Sequence, residues 1–263
     1  MYDLPSENQE EPGLPDEFHL LQPQLLLLTF QPPNWSPEMI FSAADLNLYY
    51  DLKHPLWYKR PDWFGVVGIS RLYDGQDLRL SYVIWQEEIS PLIVVELLSP
   101  GTESQDLGEE KRDPDGTPGK WEVYEKILRV PYYAVFSRYT NELKVFQLRE
   151  NRYEAVSLVG GQVPIPEAQL RLGLWRGEYR GCERLWLRWF TQEGELLALD
   201  SEKLTVAKQE ATIAKEEATI AKEEATIAKE EATIAKQETI AAQQRAEQLA
   251  AMLRELGINP DEI

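Results

Sequence analysis

The spacing of apolar and polar residues predicts a run of β-strands between about residues 45 and 149. Asp45–Tyr50 and Leu78–Trp85 alternate apolar with polar residues, and Gly65–Ile69 is a short apolar run. The stretch Pro91–Pro100 is almost entirely apolar, which is typical of a strand that is buried on both faces. We expect these strands to form a curved sheet with hairpins.

A helical period follows the polar loop at residues 101–119. Apolar residues recur three and four positions apart over Trp121–Leu128, and Pro131 is expected to end this helix near Val130. Further strands are predicted at Tyr132–Ser137, Glu142–Arg149 and Tyr153–Leu158. A sheet with one central amphipathic helix belongs to the α/β or α+β class, which serves many unrelated functions.

The last quarter of the chain repeats a seven-residue unit from Ala207, as AKQEATI once and then as AKEEATI three times. Such a repeat of strong helix formers predicts one long helix over residues 202–256. Its alanines and isoleucines form a broad, shallow apolar face, and no Glu and Lys in the repeats stand three or four residues apart. We expect a weak coiled coil that makes the chain a homo-oligomer; the alternative is a solvated single helix.

These patterns divide the chain into an acidic, flexible leader at 1–17, a folded domain at 18–200, the repeat helix at 202–256 and a short C-terminal end at 257–263. The apolar stretch Leu20–Phe30 is interrupted by polar residues and proline and is too short to span a bilayer. We therefore expect no membrane insertion. A cytoplasmic location is expected, and Cys182, the single cysteine, excludes an internal disulfide.

The formal net charge of −18 is distributed over both parts of the chain, with −13 in residues 1–201 and −5 in residues 202–263. Because nucleic-acid binding depends on phosphate neutralisation by Lys and Arg, this balance argues against tight, non-specific binding. The most basic local stretch contains Arg171, Arg176, Arg180, Arg184 and Arg188. It is the candidate nucleic-acid contact, and ordinary solvated charge is the alternative.

The residue in this sequence that most strongly suggests chemistry is Glu96, a carboxylate inside an apolar strand. An unpaired buried carboxylate costs several kcal/mol, so a strand that keeps one usually uses it. Asp62, just ahead of another apolar strand, and Lys120, at the start of the predicted helix, complete two carboxylates and one ammonium. Each also has an ordinary reading: Asp62 as a turn residue, Glu96 as the partner of a core Arg, and Lys120 as a charge at the helix start.

Two carboxylates and a lysine are the minimum set for metal-dependent phosphodiester hydrolysis. At about 4 Å two carboxylates repel by roughly 4 kcal/mol at an effective dielectric near 20, so a cation between them keeps both ionised. Mg²⁺ suits hard oxygen ligands and retains waters for the reaction, and Mn²⁺ could replace it. Lys120 could orient the attacking water or offset charge on the phosphorus, and Tyr124 lies on the same helical face.

The string Ile93–Thr102, the following Asp106-Leu107-Gly108, the Lys120-xxx-Tyr124 spacing and Val130–Phe136 resemble the Uma-type family of bacterial endonucleases. The resemblance covers about residues 40–190. It implies an α/β restriction-endonuclease-like fold of the PD-(D/E)XK superfamily, with a central mixed β-sheet flanked by helices, to which the long C-terminal helix is added. It also implies that Asp62 and Glu96 bind Mg²⁺.

The sequence departs from the family pattern at two positions. Leu98 stands where the motif has its lysine, so that role passes to Lys120, with Lys111 as a weaker candidate. Leu92 stands where many relatives carry an aspartate, but a residue four positions back on the same strand lies roughly 13 Å from Glu96. Asp62, on a separate strand, is therefore the better match.

The sequence therefore predicts an endonuclease that uses Mg²⁺ to cleave phosphodiester bonds in DNA. In this prediction Asp62, Glu96 and Lys120 are the catalytic residues, and Asp62 and Glu96 hold the metal. The alternative is an inactive nuclease-like interaction module that assembles through its repeat helix.

Overall fold

The computed structural model describes residues 16–99, 103–109 and 116–257. Most of the expected leader, all but the first residue of the short C-terminal end, and Lys111 lie outside these residues. The chain divides into two compact units, Met1–Leu199 and Asp200–Ile263.

The first unit contains all the strands, which are β1 Ile40–Ala43, β2 Leu48–Tyr49, β3 Tyr58–Lys59, β4 Trp63–Val67, β5 Tyr82–Val83, β6 Ile93–Leu98, β7 Tyr132–Ser137, β8 Glu142–Arg149, β9 Arg152–Val156, β10 Gln162–Ile165, β11 Leu170–Tyr179 and β12 Cys182–Thr191. The α-helices are α1 Glu17–Thr29, α2 Ile84–Glu87, α3 Glu103–Asp106, α4 Lys120–Glu122 and, in the second unit, α5 Asp200–Glu255. A π-helical turn at Val123–Ile127 continues α4 directly.

The main sheet is mixed and has six strands in the order β1-β4-β6-β7-β8-β9. Strands β6 and β7 run parallel, and the other neighbouring pairs are antiparallel. Because a parallel pair needs a long crossover connection, α3 and α4 both fall between these two strands. The predicted fold class, a restriction-endonuclease-like mixed sheet with helices and a long C-terminal helix, is confirmed.

Strand β6 is buried along its whole length, as its apolar sequence predicts. Its alternate residues enter two different cores: Val95 and Leu97 contact the cluster that includes α1, whereas Val94 and Leu98 contact the cluster that includes Tyr124. Successive strand residues point to opposite faces, so Glu96 shares the second face and points toward α4. The strand period therefore decides which helix the carboxylate meets.

Helix α1 contacts both the main sheet and the antiparallel sheet β10-β11-β12. The ring of His19 lies against the carbonyl of Leu97 in β6, while the amide side chain of Gln22 both donates to and accepts from the backbone of Leu187 in β12. Asp16 caps the helix by accepting from the amide of His19 at 3.1 Å.

The strand predicted at Leu78–Trp85 is wrong except at Tyr82–Val83, where it pairs with β2. The guanidinium of Arg79 donates to Glu87 and to the carbonyls of Ser70 and Arg71, so side-chain hydrogen bonds replace a strand ladder here. The three strands β10, β11 and β12 were not predicted.

The second unit is the single helix α5, which confirms the long C-terminal helix. None of its residues is buried, and Ile213, Ile220, Ile227 and Ile234 are each 55 to 56% exposed. Their coiled-coil pairing stays a prediction. Across the described parts of the chain, every helix is too short or too polar to cross a membrane.

Candidate metal centre

Asp62 and Glu96 are brought together by the pairing of β4 with β6. Trp63 pairs with Val95 in antiparallel register, so Asp62, one residue earlier, lies beside Glu96, one residue later. The amide of Leu97 donates to Oδ2 of Asp62 at 2.6 Å, and the amide of Asp62 donates to Oε2 of Glu96 at 3.4 Å. The side chain of Asp62 thus accepts the hydrogen bond that a backbone carbonyl of β4 would accept if the β4–β6 ladder continued.

Lys120 reaches the same point from the start of α4. Its ammonium lies 3.1 Å from Oε2 of Glu96 and 2.8 Å from Oδ1 of Asp106. Tyr124, one helical turn later, donates from its hydroxyl to Oε1 of Glu96 at 2.8 Å. The structure therefore brings together all three side chains that the sequence singles out, and Glu96 is bonded at both oxygens.

Asp106 also belongs to the site, although in the sequence it stands out only as part of the family-like string Asp106-Leu107-Gly108. Its side chain is 1% exposed, and its backbone carbonyl accepts from the hydroxyl of Tyr133 at 2.9 Å. The Asp-Leu-Gly string gave its position but not its burial, because a carboxylate in a polar loop has no local pattern that distinguishes a turn residue from a buried one.

The electrostatics of the site reflect three crowded carboxyl groups. Burial raises the pKa of Asp62 to about 6, although Lys120 opposes the shift. Burial, together with Asp106 and Asp62, raises the pKa of Glu96 to about 8 against the same opposition. Burial alone would lower the pKa of Lys120, but the three carboxylates raise it well above its usual value. The lysine therefore stays charged.

The residues fit a divalent cation. If all three carboxylates are ionised beside the Lys120 ammonium, two negative charges remain, which is the charge that Mg²⁺ or Mn²⁺ would neutralise. No three His, Cys, Asp or Glu side chains form a ready-made cage among the described residues, and Asp62 and Glu96 would be the protein donors to a cation at this point. One or two carboxylates plus several waters is the usual Mg²⁺ arrangement.

A comparison of the chain with models of protein families shows which family it belongs to. The model of the Uma2 family, described as putative restriction endonuclease, matches residues 3–180. The chain belongs to the Uma2 family. No curated protein gives a significant match to the chain.

The Uma2 match begins well before residue 40 and therefore includes α1, which the earlier resemblance left out. The two residues that depart from the family pattern, Leu98 and Leu92, are both buried in the structure. Leu98 is buried in the Tyr124 cluster, and Leu92 is buried where its amide donates to the carbonyl of Gly65. Since Gly65 is three residues beyond Asp62 along β4, position 92 lies away from Glu96, and Asp62 is the carboxylate beside it.

Two of the tryptophans and one arginine of the basic stretch lie in the core of the first unit. Trp186 and Trp189 are buried in the core. Arg188 is also buried; it lies over the ring of Trp175 and donates to the carbonyl of Leu197, so it is unable to contact nucleic acid. Cys182 is exposed.

Proposed function

We propose that this Uma2 protein is a Mg²⁺-dependent endonuclease that hydrolyses phosphodiester bonds in DNA, and that it acts in the cytoplasm. The observation that carries the proposal is that the Asp62 amide lies 3.4 Å from Oε2 of Glu96 and the Lys120 ammonium lies 3.1 Å from the same oxygen. Family membership supports the nuclease class, and the donor chemistry supports the metal.

In this proposal Asp62 and Glu96 hold the cation, and the surrounding bonds fix their orientation. The Leu97 amide holds one oxygen of Asp62, and the Tyr124 hydroxyl holds Oε1 of Glu96. When bound, the metal would supply a water of lowered pKa and neutralise charge on the phosphoryl oxygens. Hydrogen bonds that orient metal ligands in this way commonly set metal affinity.

Lys120 supplies the fixed positive charge. Asp106 holds its ammonium from one side while Glu96 accepts from the other, so its position next to the carboxylate pair is defined. A fixed ammonium in a buried site stabilises the negative charge that develops on the phosphorus oxygens and orients the attacking water. This assigns to Lys120 the role that the motif gives to a lysine at position 98.

The test is nicking of supercoiled plasmid by the purified full-length chain with Mg²⁺ or Mn²⁺, together with calorimetric metal binding. Asp62→Asn and Glu96→Gln should each abolish nicking and weaken metal binding, with helical and sheet content retained by circular dichroism. The matched control is Glu154→Gln, an acidic residue of the same unit that pairs with Arg149 at the surface. A wild-type protein that neither binds metal nor nicks plasmid would leave the inactive-module alternative.

We also propose that α5 makes the chain a homo-oligomer. The support is the row of exposed isoleucines at seven-residue spacing, which a single helix leaves in water. Ion pairs between Glu and Lys do not compensate for this exposure, because no Glu and Lys within the repeats stand three or four residues apart.

A further inference from the structure

A histidine and a tryptophan form a stacked pair in the loop between β2 and β3. The ring centres of His54 and Trp57 lie 3.8 Å apart, and the two ring planes meet at an angle of 10°. The His54 side chain is 50% exposed although one face of its ring lies on Trp57, so its other face is open to solvent. The pair therefore presents a flat, open aromatic surface.

Hydrogen bonds hold this pair in place before any ligand arrives. Asp51 lies 2.7 Å from Nδ1 of His54 and accepts from the amide of Lys53 at 2.8 Å. The His54 amide donates to the Asp51 carbonyl, and the Trp57 amide donates to the His54 carbonyl. Trp57 itself packs on the core cluster that contains Tyr124. A planar ligand thus meets a ring whose orientation is already fixed, which lowers the entropy cost of binding.

The charge of the same loop suits a nucleic acid. In a chain of net charge −18, residues 52–61 contain two Lys, one Arg and no Asp or Glu. Arg60 pairs with Asp45, and Lys59 is buried. Lys53 is exposed and has no ion pair with any residue that the structure describes, so it is the cation available to a ligand. An aromatic ring for the base and a cation for the phosphate are the usual means of holding a single strand.

The stacked pair and the metal centre lie on the same face of the main sheet. Trp57 packs on the cluster of Tyr124, and the Tyr124 hydroxyl donates to Glu96. Trp57 also precedes Asp62 by five residues, so their Cα atoms are at most about 18 Å apart. At about 3.4 Å per nucleotide along one strand, this span corresponds to about five nucleotides. A strand whose phosphate reaches the metal therefore has bases within reach of His54.

Only an unpaired base is able to use such a surface. Inside a duplex each base already stacks on its neighbours, whereas the bases of a single strand or a bulge expose their faces to aromatic side chains, His included. A duplex held through its phosphates alone would need several cations, and this loop offers one. The loop therefore favours a nucleic acid that is unpaired at this point.

We propose that His54, supported by Trp57, stacks on an unpaired base of the nucleic-acid substrate, within about five nucleotides of the phosphate that the metal centre attacks. Lys53 contacts a phosphate next to that base. The inference rests on the proposed nuclease function for its choice of ligand. It adds the class of substrate, which is a nucleic acid that is single-stranded or locally unpaired.

The experiment measures binding of a labelled single-stranded oligonucleotide, and of its duplex, to the full-length protein by fluorescence anisotropy in chelator. Wild type should bind the single strand more tightly. His54→Ala should weaken single-strand binding about tenfold, because one base stack is lost. His54→Phe keeps an aromatic ring and should retain most of the affinity. Tyr73→Ala is the control, because Tyr73 is an aromatic residue that is also about half exposed but lies in a different loop.

Lys53→Gln provides an independent check that does not depend on the ring. It should reduce the slope of log K against log salt for the single strand by about 0.7, the value for one phosphate contact. His54 lies at the surface, so His54→Ala is expected to fold, which circular dichroism verifies. Should that variant fail to fold, the Lys53→Gln slope and His54→Phe still decide.

The outcomes separate this inference from the nuclease proposal. Equal affinity of wild type for single strand and duplex, or unchanged single-strand affinity in His54→Ala, would overturn the stacking site even if the protein cleaves DNA. A loss in His54→Ala that His54→Phe restores supports it, even if no cleavage is found. An equal loss in Tyr73→Ala would overturn it. If wild type binds no oligonucleotide while His54→Ala lowers the sedimenting mass, the loop docks a second copy of the chain and the inference is wrong.

Discussion

The imidazole of His19 lies 3.1 Å from the carbonyl oxygen of Leu97, a residue 78 positions further along the chain. Leu97 directly follows Glu96, and its amide holds the carboxylate of Asp62 at 2.6 Å. One peptide segment of β6 is therefore tied on one side to the candidate metal ligand and on the other side to helix α1. Asp16, 2.9 Å from the other ring nitrogen, orients the imidazole.

This relationship predicts that His19 is a positioning residue for the metal centre. His19→Ala removes the anchor of the Leu97 carbonyl, so the Leu97 amide and the Asp62 carboxylate lose their fixed geometry. We expect Mg²⁺ affinity to fall by about tenfold or more, as is usual when a group that orients a metal ligand is removed. Calorimetric titration with Mg²⁺ measures this, and the amide signal of Leu97 in NMR should shift with it.

Gln22 offers a matched control for His19. It is buried one turn along the same helix and bonds backbone in the same manner, but to Leu187 of the other sheet. Gln22→Ala should lower the melting temperature without changing Mg²⁺ affinity. Equal losses of affinity in both variants would show that His19 merely docks the helix.

Asp106 is expected to act through Lys120. Asp106→Asn keeps the size of the side chain but removes the charge that holds the ammonium, so the lysine is less firmly fixed next to Glu96. We expect the cleavage rate to fall on the order of 100-fold, while Mg²⁺ affinity changes much less. Single-turnover cleavage and calorimetry separate the two quantities; an affinity loss as large as that of Asp62→Asn would instead make Asp106 a ligand.

Stability without metal is expected to fall as the pH rises. Glu96 and Asp62 have folded pKa values of about 8 and about 6, above their ordinary values, so the folded state binds more protons than the unfolded state in this range. The free energy of unfolding therefore decreases from about pH 4 to about pH 8 through these two groups. Mg²⁺ replaces the protons, so its stabilising effect should be larger at pH 8 than at pH 5.

Thermal unfolding with and without Mg²⁺ at several pH values measures this dependence. Glu96→Gln is neutral at every pH, so most of the pH dependence of the metal-free protein should disappear in that variant. A metal-free wild type whose stability rises between pH 5 and pH 8 would contradict the assignment.

The repeat helix is expected to associate through its isoleucines. Changing Ile220 and Ile227 to Gln removes apolar side chains that are more than half exposed in the single helix, so a monomer should lose little helicity. Sedimentation of the full-length chain should show a lower mass for this variant than for wild type. The control changes Thr219 and Thr226 to Gln; a wild-type protein that sediments as a monomer would reject the coiled coil.

The sequence by itself determined the elements whose signal is local. The six apolar residues around Glu96 predicted a buried strand, the apolar run at Tyr132–Ser137 and the pattern at Glu142–Arg149 predicted β7 and β8 with their observed bounds, and the heptads predicted α5. These succeed because side-chain period and helix propensity act over a few residues. The sequence also singled out Asp62, Glu96 and Lys120 as a candidate site, since burying a carboxylate in an apolar strand costs free energy wherever the strand lies.

Only the tertiary structure decided which groups surround those three residues. Asp106 and His19 come from helices α3 and α1, and no spacing in the sequence joins them to Glu96. Most of the segment Leu78–Trp85 does not form a strand for a related reason, because Arg79 donates hydrogen bonds to the carbonyls of Ser70 and Arg71, which its local alternation does not reveal. Burial and long-range hydrogen bonds depend on how the sheets and α1 pack, and that packing is a property of the whole chain.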